Sequence, residues 1–160
     1  MRVLVISDSH GINENVEAVI NQVGTMDLIL HLGDVGRGVD YLEAIAPCPI
    51  YFVAGNNDYN LDLPAERLIT VEGYRIFMTH GHRFYVGSTT EYLERYAKEN
   101  SVDIVMYGHT HVPYIDIGSD VTILNPGSIS LPRQEGFQKT FLLMEINEDK
   151  EIHYAHGILG

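Results

Sequence analysis

The chain begins with an apolar run that ends abruptly in a polar cluster. Val3 to Ile6 contain no polar residue, and Ser7-Asp8-Ser9-His10 follow directly. An apolar run without polar alternation predicts a strand covered on both faces, as in an α/β protein. Because ligands bind at the carboxyl ends of strands in such sheets, we expect Asp8 and His10 to lie at a binding edge. Asp and His also favour turns, so this pair alone does not predict a metal site.

Helices and strands are predicted to alternate in the first half of the chain, and strands dominate the second half. Apolar residues at helical spacing predict helices at 13–22, 39–46 and 88–100. In the last helix we expect Tyr92, Leu93 and Tyr96 to face the core. Paired apolar runs predict antiparallel hairpins around the turns 72–73, 118–120 and 147–150. This pattern favours two sheets with helices outside them over a simple doubly wound sheet.

Length and composition restrict the kind of protein. At 160 residues, 45% of them hydrophobic, we expect one globular domain spanning residues 1–160. No apolar run approaches the roughly 20 residues of a membrane helix, and the first residues do not resemble a signal peptide, so we expect a cytoplasmic protein without membrane partners. The net charge of −12, with only 10 Lys and Arg, disfavours a nucleic-acid polymer as partner. Cys48, the only cysteine, is interpreted as a small buried apolar residue.

Side chains that can bind metal ions follow most of the predicted strands. They are Asp8, His10, Asp34, Asn56, His80, His109 and His111. Seven oxygen and nitrogen ligands exceed the needs of one cation, whereas two divalent cations bridged by one carboxylate would use all of them. Enzymes use such a pair of cations for displacement at phosphorus. The pattern therefore predicts hydrolysis of phosphate esters.

Five ordered motifs in this chain resemble those of the calcineurin-like metallophosphoesterases. They are Asp8-Ser9-His10, Gly33-Asp34, Gly55-Asn56, His80 and Gly108-His109-Thr110-His111. The later segment Asn125-Pro126-Gly127-Ser128 and the short chain are similar to the small prokaryotic phosphodiesterases of that family. The resemblance implies an α/β fold, a four-layer α-β-β-α sandwich of two mixed sheets flanked by helices.

The resemblance also implies two metal sites that share one carboxylate. The implied ligands are Asp8, His10 and His111 for one metal, Asn56, His80 and His109 for the other, and Asp34 as the bridge. We expect two divalent cations, with Mn²⁺ as first choice and Ni²⁺, Fe or Zn²⁺ as alternatives. The implied reaction is in-line attack of a metal-bound hydroxide on a small phosphorylated substrate, with a phosphodiester as the first expectation.

One position departs from the larger phosphatases of the family. Those enzymes have a histidine after the metal-binding asparagine, and it helps to protonate the leaving group, whereas this chain has Asn57. An amide cannot supply that proton, so we expect a preference for esters with good leaving groups. His82 is a candidate acid in its place. Hydrogen bonding within its own loop is an equally good explanation of His82.

Other polar positions near the motifs have both structural and functional interpretations. Asp58 either orients Asn57 or a ligand, or forms an ordinary turn, which is favoured beside glycine. His31 is interpreted as a hydrogen-bonded structural histidine. Arg37 and Arg83 are interpreted as solvated side chains, with contact to a substrate phosphate as the alternative.

Two further functions compete with the phosphodiesterase. A metal-binding scaffold for protein assembly is one, because a retromer subunit of eukaryotes resembles this fold. The presence of every ligand favours catalysis over that role. A metallo-β-lactamase-type hydrolase is the other, but its His-x-His-x-Asp-His run is absent. Homo-oligomers through a strand edge or an aromatic patch are left open, because no motif directs such contacts.

Overall fold

The computed structural model describes residues 1–160 as two five-stranded sheets with three α-helices. The strands are β1 (Arg2–Ile6), β2 (Leu28–His31), β3 (Ile50–Phe52), β4 (Glu66–Val71), β5 (Tyr74–Thr79), β6 (Ile104–Met106), β7 (Pro113–Ile117), β8 (Thr122–Pro126), β9 (Thr140–Ile146) and β10 (Ile152–Ile158). The helices are α1 (Asn13–Val23), α2 (Val39–Ile45) and α3 (Glu91–Glu99), with a 3₁₀ turn at His82–Phe84. None of these helices has the length and apolarity needed to cross a membrane.

Both sheets combine parallel and antiparallel pairs. The first sheet has the order β10-β9-β1-β2-β3, and β1, β2 and β3 run parallel. The second sheet has the order β4-β5-β6-β8-β7, and β5, β6 and β8 run parallel. The hairpins expected around residues 72–73, 118–120 and 147–150 are present as the antiparallel pairs β4–β5, β7–β8 and β9–β10.

The packing of β1 explains why its sequence is apolar without alternation. Val3 and Val5 point between the two sheets, into a cluster of 15 buried apolar residues. Leu4 and Ile6 point the other way, into a cluster of 12 buried residues that includes residues of α1 and α2. Since a strand covered on both faces is apolar throughout, the run at residues 3–6 marks a central strand.

A third cluster of nine buried residues fills the space between the second sheet and α3. The layers therefore follow the order helices, sheet, sheet, helix. This order confirms the predicted four-layer α/β sandwich of two mixed sheets flanked by helices.

Helix α3 differs in detail from the sequence-based prediction. It begins at Glu91 rather than at residue 88, with Thr90 at its N-cap position. Leu93 is buried and Tyr96 stacks on Phe77 with ring centroids 4.3 Å apart. The expectation that Tyr92 faces inward is wrong, because its side chain is 46% exposed. The contact face of this short helix is narrow and leaves Tyr92 at its margin.

Cys48 also differs slightly from its interpretation as a buried residue. Its thiol is free and its side chain only half-buried. It packs at the edge of the cluster between the first sheet and its helices. Partial burial there raises the pKa of the thiol, which keeps it protonated at neutral pH.

Candidate metal centre

The loops that follow β1, β2, β3, β5 and β6 meet at one end of the two sheets. They carry all seven side chains that the sequence indicates as metal ligands. Four of them each present one ligand atom within 4.8 Å of the others; this first group is Asp8, His10, Asp34 and His111. Within this first group, His111 Nε2 lies 3.0 Å from Asp8 Oδ1, and His10 Nε2 lies 3.7 Å from Asp34 Oδ2.

The remaining three side chains form a second group around an amide oxygen. Asn56 Oδ1 lies 3.1 Å from His80 Nε2 and 3.1 Å from His109 Nδ1. His80 Nε2 also lies 3.6 Å from Asp34 Oδ2, which is 3.7 Å from His10 Nε2. Asp34 of the first group therefore also contacts the second group. Asp8 Oδ1 lies slightly farther from the same two nitrogens, 3.9 Å from His10 Nε2 and 3.8 Å from His80 Nε2.

Two backbone carbonyls fix which ring nitrogen of each histidine carries a proton. His80 Nδ1 lies 2.7 Å from the carbonyl oxygen of Leu32, and His111 Nδ1 lies 2.6 Å from that of Leu131. A carbonyl only accepts, so both Nδ1 atoms carry the proton and donate it. The Nε2 lone pairs then point at the acidic side chains. Metal-binding histidines in proteins are oriented in this way.

The geometry of Asp8 and His111 shows whether a cation fits the first group. Asp8 is fully buried, and its Oδ1 has no hydrogen bond although His111 Nε2 lies 3.0 Å away. Because Nδ1 of His111 holds the proton of the neutral ring, Oδ1 and Nε2 face each other as two acceptors. A proton or a metal ion has to lie between them. The donor set therefore fits a divalent cation.

The charges of the site reinforce this conclusion. Burial raises the pKa of Asp34, but the nearby imidazole of His80 in its charged form and two hydrogen bonds from Asn57 together hold it well below its usual range. Burial also opposes the charge of Asp8, but pairing with His111 and the charge of His80 outweigh it and lower the pKa. Both carboxylates are thus ionised at neutral pH, and their negative charges are balanced either by protons on the neighbouring imidazoles or by bound cations.

The backbone at these positions adopts an unusual conformation. Five of the seven side chains project from residues with positive φ: Asp8 (56°), His10 (51°), Asp34 (51°), His109 (68°) and His111 (60°). Only a few per cent of non-glycine residues adopt this region, and such residues cluster at functional sites. Here the left-handed conformation turns each chain sharply after its strand, so that the side chains converge.

Glycines in the motifs leave space for the same side chains. A Cβ at Gly55 would overlap the carboxylate of Asp34, and a Cβ at Gly108 would overlap Ser7 and lie 2.9 Å from Asp8 Oδ2. The glycines in these two motifs are therefore required by close approach of one loop to the side chain of another.

Asn57 and His82, the two candidate catalytic residues, lie beside the centre. The backbone N–H of Asn57 donates to Asp34 Oδ1 (2.9 Å), and its side-chain amide donates to Asp34 Oδ2 (2.7 Å). His82 lies on the 3₁₀ turn, with its ring centroid 5.5 Å from that of His80 and 6.1 Å from that of His109. Its Nδ1 is buried without a hydrogen-bond partner. The structure thus shows no hydrogen bond of that atom within its loop.

Asp58 holds two of the loops together, a role that the sequence did not reveal. Its carboxylate accepts hydrogen bonds from the backbone N–H groups of Val35 (3.0 Å), Gly36 (3.0 Å) and Gly55 (2.9 Å). The turn interpretation is therefore correct but incomplete, because the residue joins the Asp34 loop to the Asn56 loop. Its proximity in sequence to Asn56 was the only available signal.

The segment Asn125 to Ser128 supports two further loops. The Asn125 amide donates to the Gly108 carbonyl and to Thr110 Oγ1, both at 3.0 Å. Ser128 Oγ donates to the Asp8 carbonyl at 2.9 Å. The sequence marked this segment only as a turn and as part of a resemblance, since partners 15 to 120 residues away are not visible in a local pattern.

His31 occupies the structural role expected for it. It is fully buried, and its Nε2 lies 2.9 Å from Ser9 Oγ. Ser9 Oγ donates its proton to the Val35 carbonyl, so the ring N–H donates to the serine oxygen. The backbone N–H of Gly33 then donates to Nδ1 at 3.3 Å. The neutral ring satisfies both nitrogens.

A four-layer α/β sandwich that brings two ionised carboxylates and four imidazoles together at one edge has the layout of a metallohydrolase. The chain belongs to the calcineurin-like phosphoesterase superfamily, whose domain model matches residues 1–149. This membership confirms the family that the five motifs indicate.

Relatives and solved structures agree with this assignment. A probable metallophosphoesterase of Methanocaldococcus jannaschii is 37% identical over 138 residues, which cover 83% of this chain and 70% of the relative. The crystal structure of a conserved protein of Streptococcus pneumoniae, described as a predicted phosphoesterase, is 30% identical with a TM-score of 0.80 and covers 98% of this chain and 97% of that chain. A single-mutant form of Vps29 from Entamoeba histolytica is 25% identical with a TM-score of 0.78, over 100% of both chains.

Proposed function

We propose that this protein is a dinuclear metal-dependent phosphoesterase that hydrolyses phosphodiesters. The position of Asp34 carries the proposal, because its Oδ2 lies 3.7 Å from His10 Nε2 and 3.6 Å from His80 Nε2. A carboxylate between two groups of ligands suits a bridge between two cations. The proposed ligands of one cation are Asp8, His10 and His111, and those of the other are Asn56, His80 and His109.

Mn²⁺ is the proposed metal, with Ni²⁺, Fe and Zn²⁺ as alternatives. The ligands combine carboxylate and amide oxygens with imidazole nitrogens, a mixture that suits these first-row cations. When bound, two such cations supply positive charge to a phosphate group and Lewis-acid activation for its displacement. Without them, two ionised carboxylates and a net charge of −12 would repel an anionic ester.

The chain's own residues then have distinct roles. Asn57 fixes the carboxylate of Asp34 through two hydrogen bonds. His82, beside His80 and His109, is the proposed donor of a proton to the leaving oxygen. The amide of Asn57 cannot supply that proton, so esters with good leaving groups should depend least on His82.

The proposed substrate is a small phosphate ester. An acidic chain with 10 Lys and Arg lacks the clustered cations that bind a nucleic-acid polymer. We also infer a single domain over residues 1–160 and a cytoplasmic location. Self-association also stays a prediction, because no sequence motif indicates which surface would form the contact.

A protein-interaction scaffold is the alternative function, and the likeness to Vps29 motivates it. The convergence of seven metal-binding side chains favours catalysis, because a scaffold needs no such convergence. An exposed apolar surface that binds a protein partner without metal would favour the scaffold.

Hydrolysis of bis-p-nitrophenyl phosphate by metal-stripped protein reloaded with Mn²⁺ tests the proposal. We expect divalent-dependent hydrolysis by the wild type and a loss of about 100-fold or more in Asp34→Asn, because the amide weakens the bridge. The control is Asp62→Asn, which should retain activity. It changes an exposed acidic residue that makes no side-chain hydrogen bond. A wild type that binds Mn²⁺ but hydrolyses no ester would favour the scaffold.

The role of His82 predicts a dependence on the leaving group. His82→Ala should lower kcat/KM about 10- to 100-fold for esters with an alkyl leaving group and much less for p-nitrophenyl esters. A nitrophenolate is stable enough to leave without a proton, whereas an alkoxide must be protonated as it leaves. His153→Ala, an exposed histidine near the carboxyl terminus, is the control. Equal losses for both classes of ester would contradict the proposed role.

A further inference from the structure

A groove of ≈270 Å³ lies beside the second group of candidate ligands. Asn56 and His82 line it, so it is continuous with the candidate metal centre. Leu61 and Leu63 provide much of its apolar wall, and both are half-buried against the cluster below the first sheet. None of the roles derived above for the centre requires this apolar space.

Tyr59 also lines the groove, and its side chain is 91% exposed. No other large apolar side chain of the protein is as exposed. An exposed aromatic ring that lines a groove offers a ligand a large contact area at little cost in conformational entropy.

The exposure of Tyr59 does not come from a loose loop. The neighbouring Asp58 is buried and accepts hydrogen bonds from Gly36 and Gly55. The backbone N–H of Ala54 donates to the Pro64 carbonyl at 2.8 Å, which closes the loop at its base. The backbone that carries the ring is therefore fixed beside the groove.

Arg83 adds a cation to the lining of the groove. Its side chain is exposed and follows His82 directly. A guanidinium stacks on aromatic rings. The guanidinium of Arg83 and the ring of Tyr59 are therefore two flat groups on which a ligand ring could stack. The apolar wall, the exposed ring and the guanidinium are together complementary to a flat aromatic group.

We propose that this groove binds an aromatic substituent of the phosphate ester and so determines which esters the protein selects. The inference rests on the proposed function, because the phosphate must lie at the centre formed in part by Asn56. A substituent attached to that phosphate can enter the groove past His82. An ester with only a methyl substituent leaves the groove empty.

Binding of two phosphonates to the Mn²⁺-loaded protein tests this inference without any hydrolysis. Phenylphosphonate and methylphosphonate share the phosphonate group, and neither contains an ester bond. By isothermal titration calorimetry, we expect the wild type to bind phenylphosphonate about tenfold more tightly, the effect of burying one ring. Tyr59→Ala and the groove-filling Ala65→Leu should each reduce this preference to about threefold or less.

The control variant is Tyr41→Ala, which removes an exposed tyrosine from α2, outside the groove. It should keep the tenfold preference. Circular dichroism and thermal unfolding check that each variant folds, and Ala65→Val replaces Ala65→Leu if the larger side chain prevents folding.

Equal affinities of the wild type for the two phosphonates would overturn the inference, as would failure to bind either one. An unchanged preference in both groove variants would overturn it as well. The proposed function fails separately, through absent hydrolysis of bis-p-nitrophenyl phosphate while phenylphosphonate still binds more tightly.

Discussion

At the scale of single residues, five candidate ligands have φ angles between 51° and 68°. Each such residue costs about 1–3 kcal/mol, so the surrounding contacts must hold it in place. The sequence predicts the residue types and their order, because these appear directly in the motifs. The left-handed backbone and the pairing of Asp8 with His111 depend on packing between distant loops, which no local pattern reveals.

The close approach of Gly55 to Asp34 predicts a selective effect of one methyl group. In Gly55→Ala the new Cβ would overlap both the carboxylate and the backbone nitrogen of Asp34 and displace that residue. We expect Mn²⁺ affinity, measured by isothermal titration calorimetry, to fall about tenfold or more. Gly87→Ala is the matched control, since nothing lies within 4 Å of its Cβ. Equal Mn²⁺ affinity in both variants would contradict the role given to Gly55.

His31 predicts a loss of stability in acid. Burial is the largest effect on its pKa and, against the opposing charges of Asp8 and Asp58, lowers it from 6.5 to about 4. The folded protein therefore keeps the ring neutral while the unfolded chain takes up a proton below pH 6.5. The stability that comes from the neutral ring is fully present above pH 6.5 and is lost as the pH falls to 4. The free energy of unfolding should decrease by about 3 kcal/mol over this range.

Denaturant unfolding between pH 7 and pH 4 measures this contribution. We expect His31→Gln to have a shallower dependence of unfolding free energy on pH than the wild type. His153→Gln, which changes an exposed histidine, should follow the wild type. The same pH dependence in His31→Gln and wild type would show that the ring is not held neutral.

At the scale of secondary structure, strands place each motif and long-range hydrogen bonds fix the loops between them. The apolar runs and turn residues predict the strands along the chain, and the three hairpins are where they are expected. The start of α3 and the exposure of Tyr92 differ from the prediction. Helix propensity does not determine how many side chains of a helix contact the sheet beneath it. The clamp formed by Asp58 is also invisible in the sequence, because two of its three partners, Val35 and Gly36, lie on another loop.

Removal of the charge of that clamp should destabilise the fold. Asp58→Asn retains one acceptor oxygen for three backbone N–H groups and turns an N–H donor toward them. We expect the free energy of unfolding in denaturant to fall by about 2–3 kcal/mol. Asp62→Asn, on the same loop and exposed, should change it by less than about 0.5 kcal/mol. Equal stability of the two variants would contradict the clamp.

At the scale of the whole molecule, two sheets bring together side chains that lie up to 103 residues apart, from Asp8 to His111. Three apolar clusters hold the four layers at a fixed separation. The two-part strand pattern predicts two sheets, and the family resemblance supplies the four-layer order that the structure confirms. Which side chains bind metal, and how many ions they bind, stays a prediction from the same motifs.

Anomalous X-ray diffraction from crystals soaked in Mn²⁺ tests the central claim most directly. We expect two anomalous peaks about 3.5–4 Å apart, one on either side of Asp34. The first should lie among Asp8, His10 and His111, and the second beside Asn56. A single peak, or peaks away from Asp34 at saturating Mn²⁺, would contradict the dinuclear centre.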